Sequence, residues 1–144
     1  EEFREGSPMN TLGKSSFDVI LSNPPYFRKQ LLADSKVMRH AKHQRKFSFD
    51  CLAGIANRFL STNGVLSVVL PATTEFIFTK TMMDHHLFLN RILRVKHNKS
   101  LDYSLVLLEY SRTTMMEQSE ELVLFDGATV RTAEWQRLSG MFYV

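Results

Sequence analysis

Apolar residues fall along the chain in short blocks whose period changes from strand to helix and back. "FDVILS", residues 17–22, is a near-continuous apolar run that predicts a strand covered on both faces, as in parallel sheets. From Ser48 to about Thr62 the pattern turns helical, with Phe49, Leu52, Ala53, Ala56, Phe59 and Leu60 at three- and four-residue steps. Ser48 can cap that helix, and Asn63-Gly64 is expected to end it. "VLSVVLP", Val65 to Pro71, predicts a second buried strand. A helix follows from about Thr74 to Leu87, with Phe76, Met83 and Leu87 on one face.

"RILRVKH" (91–97) and "YSLVLLEYS" (103–111) read as two further strands. The polar "NKSLD" between them is too short for a parallel crossover, so the two are expected to be antiparallel. After the polar joint "TTMMEQSE" come a short strand "ELVLF", a turn at Asp126-Gly127, and a last helix from near Thr132 with Trp135 as its anchor. Strand-helix alternation implies an α/β fold: the C-terminal half of a Rossmann-like, doubly wound sheet with helices on both faces. Its antiparallel pair would close one edge.

At 144 residues, 44% of them apolar, the chain suits one compact domain with a real core. No apolar run is long enough to span a membrane, and the polar start "EEFREGSPMN" carries no apolar leader. Cys51 is alone, which excludes an internal disulfide and suits the cytoplasm; it reads as helix packing. Met82-Met83 and Met115-Met116 read as packing or linker, and no metal site is expected. His85-His86 are adjacent and cannot share a helix face for joint coordination. Net charge is only +3, but it is uneven. Between Arg28 and Lys46 lie seven Lys or Arg residues, with His40 and His43, against one acid, Asp34. Such a cluster suits a polyanion, most simply nucleic acid, or else a solvated loop.

That basic run directly follows Asn23-Pro24-Pro25-Tyr26, a stiff tetrapeptide at the end of an apolar strand. In open parallel sheets ligands bind beyond the carboxyl ends of strands. Two prolines fix the backbone and leave carbonyls without competing N–H donors. Asn23 adds a side-chain acceptor, and Tyr26 a flat face. Two acceptors beside a flat face suit an amino group on a planar conjugated ring. The Asn23 amide oxygen and the Pro24 carbonyl would take its two N–H bonds, and the ring would stack on Tyr26. A plain turn is the competing reading of these residues.

"FDVILSNPPYF" resembles the motif of S-adenosylmethionine-dependent methyltransferases that modify planar amino or amide nitrogens. These act on adenine in DNA or RNA, guanine in ribosomal RNA, or glutamine in release factors. The basic stretch "FRKQLLADSKVMRHAKHQRK" resembles the loop of bacterial tRNA adenine-N6 methyltransferases, with Arg39, Ala41, Lys42 and His43 in similar places and Lys42 where arginine is common. The tail "TAEWQRLSGMFYV" resembles that family's closing helix, with Phe142, Tyr143 and Val144 at its end.

The resemblance implies N6-methylation of adenosine in a valine tRNA. Asn23, Pro24, Pro25 and Tyr26 would be catalytic, Asn23 would also face S-adenosylmethionine, and Arg28, Arg39, Lys42, His43 and Arg45 would contact RNA. The six glycines form no G-x-G pattern. The N-terminal S-adenosylmethionine-binding half of such a domain is therefore expected to be absent, and the isolated chain inactive. An open strand edge would follow, with homodimerisation through it. A non-catalytic RNA-binding or protein-interaction remnant is the reading from another class.

Overall fold

The computed structural model describes residues 17–24 and 48–140. Strand β1 (Phe17–Ser22) leads to helix α1 (Phe49–Phe59) and strand β2 (Leu60–Pro71). A 3₁₀ turn (Ala72–Thr74) opens helix α2 (Glu75–Asp84), followed by β3 (Phe88–Lys96), β4 (Tyr103–Ser111) and β5 (Gln118–Val123). A small hairpin, β6 (Phe125–Asp126) and β7 (Val130–Arg131), precedes helix α3 (Ala133–Ser139). Gly127 supplies the positive φ, 74°, that the hairpin turn requires.

The main sheet has five strands in the order β1-β2-β4-β3-β5. β1 runs parallel to β2 and β3 parallel to β5, while β4 lies antiparallel between β2 and β3. The short 97–102 connection does produce an antiparallel pair. That pair does not close the edge, because β4 turns inward beside β2 and β5 takes the outer position.

One face of the sheet is packed. Leu66, Val68 and Leu70 of β2, Val106, Leu108 and Tyr110 of β4 and Ile92 of β3 meet Leu52, Ala53 and Ala56 of α1 and Phe78 and Met82 of α2 in one buried cluster. Phe78 is held edge-on between Phe49 (4.8 Å between centroids) and Tyr110 (5.6 Å). The Tyr110 hydroxyl, whose ionisation burial suppresses, is hydrogen-bonded to Thr79 Oγ1 at 2.8 Å, so the aromatic is buried without an orphaned polar atom. On the other face the apolar residues of β1 are exposed, Val19 at 57% and Leu21 at 77%, so β1 is not covered on both sides.

Helix α1 stops earlier than its periodicity suggests. Its start is as read, with Ser48 Oγ accepting from Cys51 N at 3.1 Å. Its end is set from outside: the Arg112 guanidinium, at the end of β4, donates to the carbonyls of Asn57 and Leu60 and to Asn57 Oδ1, occupying acceptors that a further turn would need. Leu60 then enters β2, and Asn63-Gly64 lies inside that strand rather than in a helix end. The register slips there, Phe17 facing Leu60 while Val19 faces Val65. Cys51 is exposed on α1 rather than packed.

The face of α2 also differs from the sequence reading. Phe78 and Met82 are buried, whereas Phe76 is 80% and Met83 55% exposed. Leu87 is buried but lies beyond the helix, which ends at Asp84. Helix α3 begins as read, with Thr132 Oγ1 accepting from Trp135 N at 3.2 Å; Trp135 is half-buried.

Candidate functional site

Ser22 closes β1 opposite Val68 of β2, so Asn23 and Pro24 leave the sheet at the carboxyl end of a parallel pair. Asn23 is exposed and Pro24 buried. Burial of the proline and exposure of the asparagine fit a rigid corner that turns a polar side chain outward. Asn23 lies at the mouth of a depression on the open sheet face, floored by Leu21, Ser67, Val69 and Leu107 and bounded by Glu109. Pro25, Tyr26, Arg28, Arg39, Lys42, His43 and Arg45, with His40 and the terminal Phe142-Tyr143-Val144, lie outside the described residues.

Charged groups cross the sheet beyond this depression. Arg91 on β3 donates to Glu109 of β4 (3.4 Å) and Glu120 of β5 (3.3 Å). Its pKa is raised, first by the hydrogen bond to Glu120 and then by the charge of Glu109. The carboxyl rim of the sheet is built from the start of α2, the end of β3 and the start of β4. Arg94 Nη2 donates to Glu75 Oε1 at 2.7 Å and its Nη1 to Ser119 Oγ at 2.9 Å. Thr74 Oγ1 donates to the Pro71 carbonyl at 2.8 Å. Glu75 thus fastens α2 to β3.

Further along that rim the Tyr103 hydroxyl donates to Glu121 at 2.6 Å, and Lys96 pairs with Glu121 at 3.2 Å while its ammonium lies 4.5 Å from the Tyr103 ring centroid. The Tyr103 hydrogen bond, then that of Lys96, holds the Glu121 carboxyl below its ordinary range.

Sequence reading placed Asn23-Pro24 at a strand end, and the structure has them there. It did not foresee that Glu109 borders the same depression, because a carboxylate inside an apolar strand gives no sign of which neighbouring strand it faces. It also missed the exposure of Phe76, because the apolar period of α2 assigned that residue to the core.

Among the described residues no group of His, Cys, Asp and Glu is arranged to hold a metal ion, and no helix is long and apolar enough to cross a membrane. Nor do they fit S-adenosylmethionine as a bound group. The stretch before β1 carries no Gly-rich turn, and the depression at Asn23 is lined by aliphatic side chains, Ser22, Ser67 and Glu109, with no glycine among them.

No protein-family model matches the chain. It is 30% identical over 132 residues to a protein of Flavobacterium johnsoniae named tRNA1(Val) (adenine(37)-N6)-methyltransferase, covering 91% of this chain and 56% of that protein. A protein of the same name from a Flavobacteriaceae bacterium is 32% identical over 115 residues, covering 80% of this chain and 48% of its own length. The crystal structure of a predicted O-methyltransferase from Agrobacterium tumefaciens superposes with a TM-score of 0.69 at 13% identity, covering 95% of this chain and 58% of that one. That likeness shows the fold. The chain spans about half the length of the curated relatives it matches. It has the fold of part of a Rossmann-like methyltransferase domain, and over most of its length it resembles bacterial proteins named as tRNA adenine-N6 methyltransferases.

Proposed function

We propose that this chain is the amine-gripping part of an S-adenosylmethionine-dependent methyltransferase that acts on N6 of an adenosine in tRNA. The observation that carries this reading is the position of Asn23-Pro24 at the carboxyl end of β1, beside β2, in a fold of methyltransferase type. The Asn23 amide oxygen and the Pro24 carbonyl accept the two N–H bonds of the adenine amino group. Accepting both draws the nitrogen lone pair out of conjugation with the ring, so the nitrogen becomes nucleophilic without a strong base. The catalytic gain is mainly one of orientation. The base must be unpaired to enter, which suits a loop of an RNA. The Tyr26 ring stacks on it, and Arg28, Arg39, Lys42, His43 and Arg45 contact the phosphates.

The methyl donor is held by polypeptide other than this chain. Bound there, S-adenosylmethionine supplies an electrophilic methyl carbon; this chain supplies the aimed nucleophile. Support comes from the names of the relatives, from the length they have beyond this chain, and from the lack of a Gly-rich turn. The deciding experiment is Asn23→Ala in the complete protein, with tritiated methyl transfer to tRNA as the readout. Turnover is expected to vanish while tRNA affinity stays within a few-fold. Retained turnover rejects the reading, as does micromolar binding of S-adenosylmethionine by the isolated chain in calorimetry.

A further inference from the structure

Helix α2 has two apolar stripes, and only one is used by the core. Phe78 and Met82 point inward. Phe76, Lys80 and Met83, at i, i+4 and i+7, form a second line on the outside. Phe76 is 80% exposed and its neighbour Ile77 44%. Lys80 is exposed and makes no ion pair among the described residues.

The first turn of α2 also stands on the ligand rim. Pro24 follows Ser22 by two residues and Pro71 follows its partner Val68 by three, so the two chains leave adjacent parallel strands at nearly one level. Phe76 comes five residues after Pro71, at most about 18 Å from it. That turn is fixed by the Glu75–Arg94 ion pair and by Thr74 on the Pro71 carbonyl. The aromatic is therefore offered to solvent from a fixed turn that follows β2, the neighbour of the strand that leads into Asn23-Pro24.

We infer that Phe76 is a positioning residue on which an unpaired base next to the target nucleotide stacks, with Lys80 one turn on meeting the backbone phosphate. This rests on the reading of Asn23-Pro24 as an RNA-directed amine site. RNA is favoured over a protein partner because Lys80, which makes no ion pair among the described residues, stands between Phe76 and Met83 on the exposed stripe. The sequence immediately after Pro24 is also strongly basic, which complements a polyanion. A phenylalanine face accepts any base, so Phe76 would add affinity and register without sequence preference.

The test uses the whole 144-residue chain and an RNA hairpin with 2-aminopurine in its unpaired loop, with a fully paired duplex as control. Wild-type chain is expected to bind the hairpin and quench the fluorophore. Phe76→Ala weakens binding roughly 5- to 150-fold and abolishes the quench. Phe76→Trp keeps both. Phe76→Leu, which keeps apolar bulk on an exposed site, loses the quench. Lys80→Gln lowers the salt slope of binding by about one. The inference is overturned if Phe76→Ala binds within about two-fold of wild type with the quench intact, far short of a lost stacking contact. It is also overturned if hairpin and duplex bind alike, or if Phe76→Ala only disperses complexes of the chain with protein. Asn23→Ala in the complete protein separates the two claims. If it abolishes turnover while Phe76→Ala leaves hairpin binding unchanged, the stacking role alone fails; if it leaves turnover intact, the amine site itself fails.

Discussion

A methyl group added at Gly64 would stand 2.9 Å from the carbonyl oxygen of Phe17 and 3.0 Å from the amide nitrogen of Ser61. Both are backbone atoms and cannot swing aside. Gly64 therefore lets β2 approach the start of β1 closely, and so helps to set the strand that carries Asn23.

Gly64→Ala is expected to cost about 1–3 kcal/mol of stability by overpacking against rigid backbone. Urea unfolding followed by circular dichroism measures it. In the complete protein the same variant should lose methyl transfer more than it loses stability, because the shift is delivered to β1. Unchanged stability would mean that β1 moves freely.

The Glu75–Arg94 pair, with both side chains about a quarter exposed, holds the first turn of α2 on β3. Glu75→Gln keeps the shape and removes the charge, and is expected to cost about 1.5–3 kcal/mol, the range for a hydrogen bond to a charged group. The loss should appear first as faster amide exchange in residues 75–77, before global unfolding, since these precede Phe78, whose buried ring is held by Phe49 and Tyr110.

Among the described residues β1 pairs only with β2, and Leu21 on it is 77% exposed. Such an edge is a template for pairing with another strand. The chain is expected to self-associate in size-exclusion chromatography with light scattering. Leu21→Lys should shift it toward monomer without loss of helicity. A clean monomer of the unaltered chain at high concentration would show the edge to be inert.

The Glu121 carboxyl, held below its ordinary range first by the Tyr103 hydroxyl, gives a pH prediction with a definite sign. A depressed carboxylate pKa adds stability above the ordinary carboxylate range and loses it as pH falls through the depressed value. Tyr103→Phe should move the Glu121 titration, followed by NMR, back upward. The effect on stability should be small, because the cluster is solvent-exposed.

Much of the fold was legible because its strands are apolar runs and its helices open on residues that can cap them, Ser48 and Thr132. The antiparallel pair was legible because 97–102 is too short for a crossover. The place of β4 between β2 and β3 was not, because a hairpin can be laid against a sheet from either side and local sequence does not choose. The end of α1 was misread because Ala56, Phe59 and Leu60 keep a helical spacing past the point where Arg112, distant in sequence, takes the carbonyls. In α2 both Phe76/Met83 and Phe78/Met82 satisfy the period, and only Phe49 and Tyr110, from other elements, select the second pair. The place of Asn23-Pro24 at a strand end was legible because a stiff break after an apolar run is a local property. Tyr26 and the basic cluster lie outside the described residues.

The asparagine directly follows β1, an edge strand with one neighbour among the described residues. A ladder zipped along one side leaves the other row of backbone donors and acceptors to tether whatever completes the sheet. A strand paired along that second row would stiffen the corner that follows it, so the order of Asn23-Pro24 is coupled to whatever β1 pairs with.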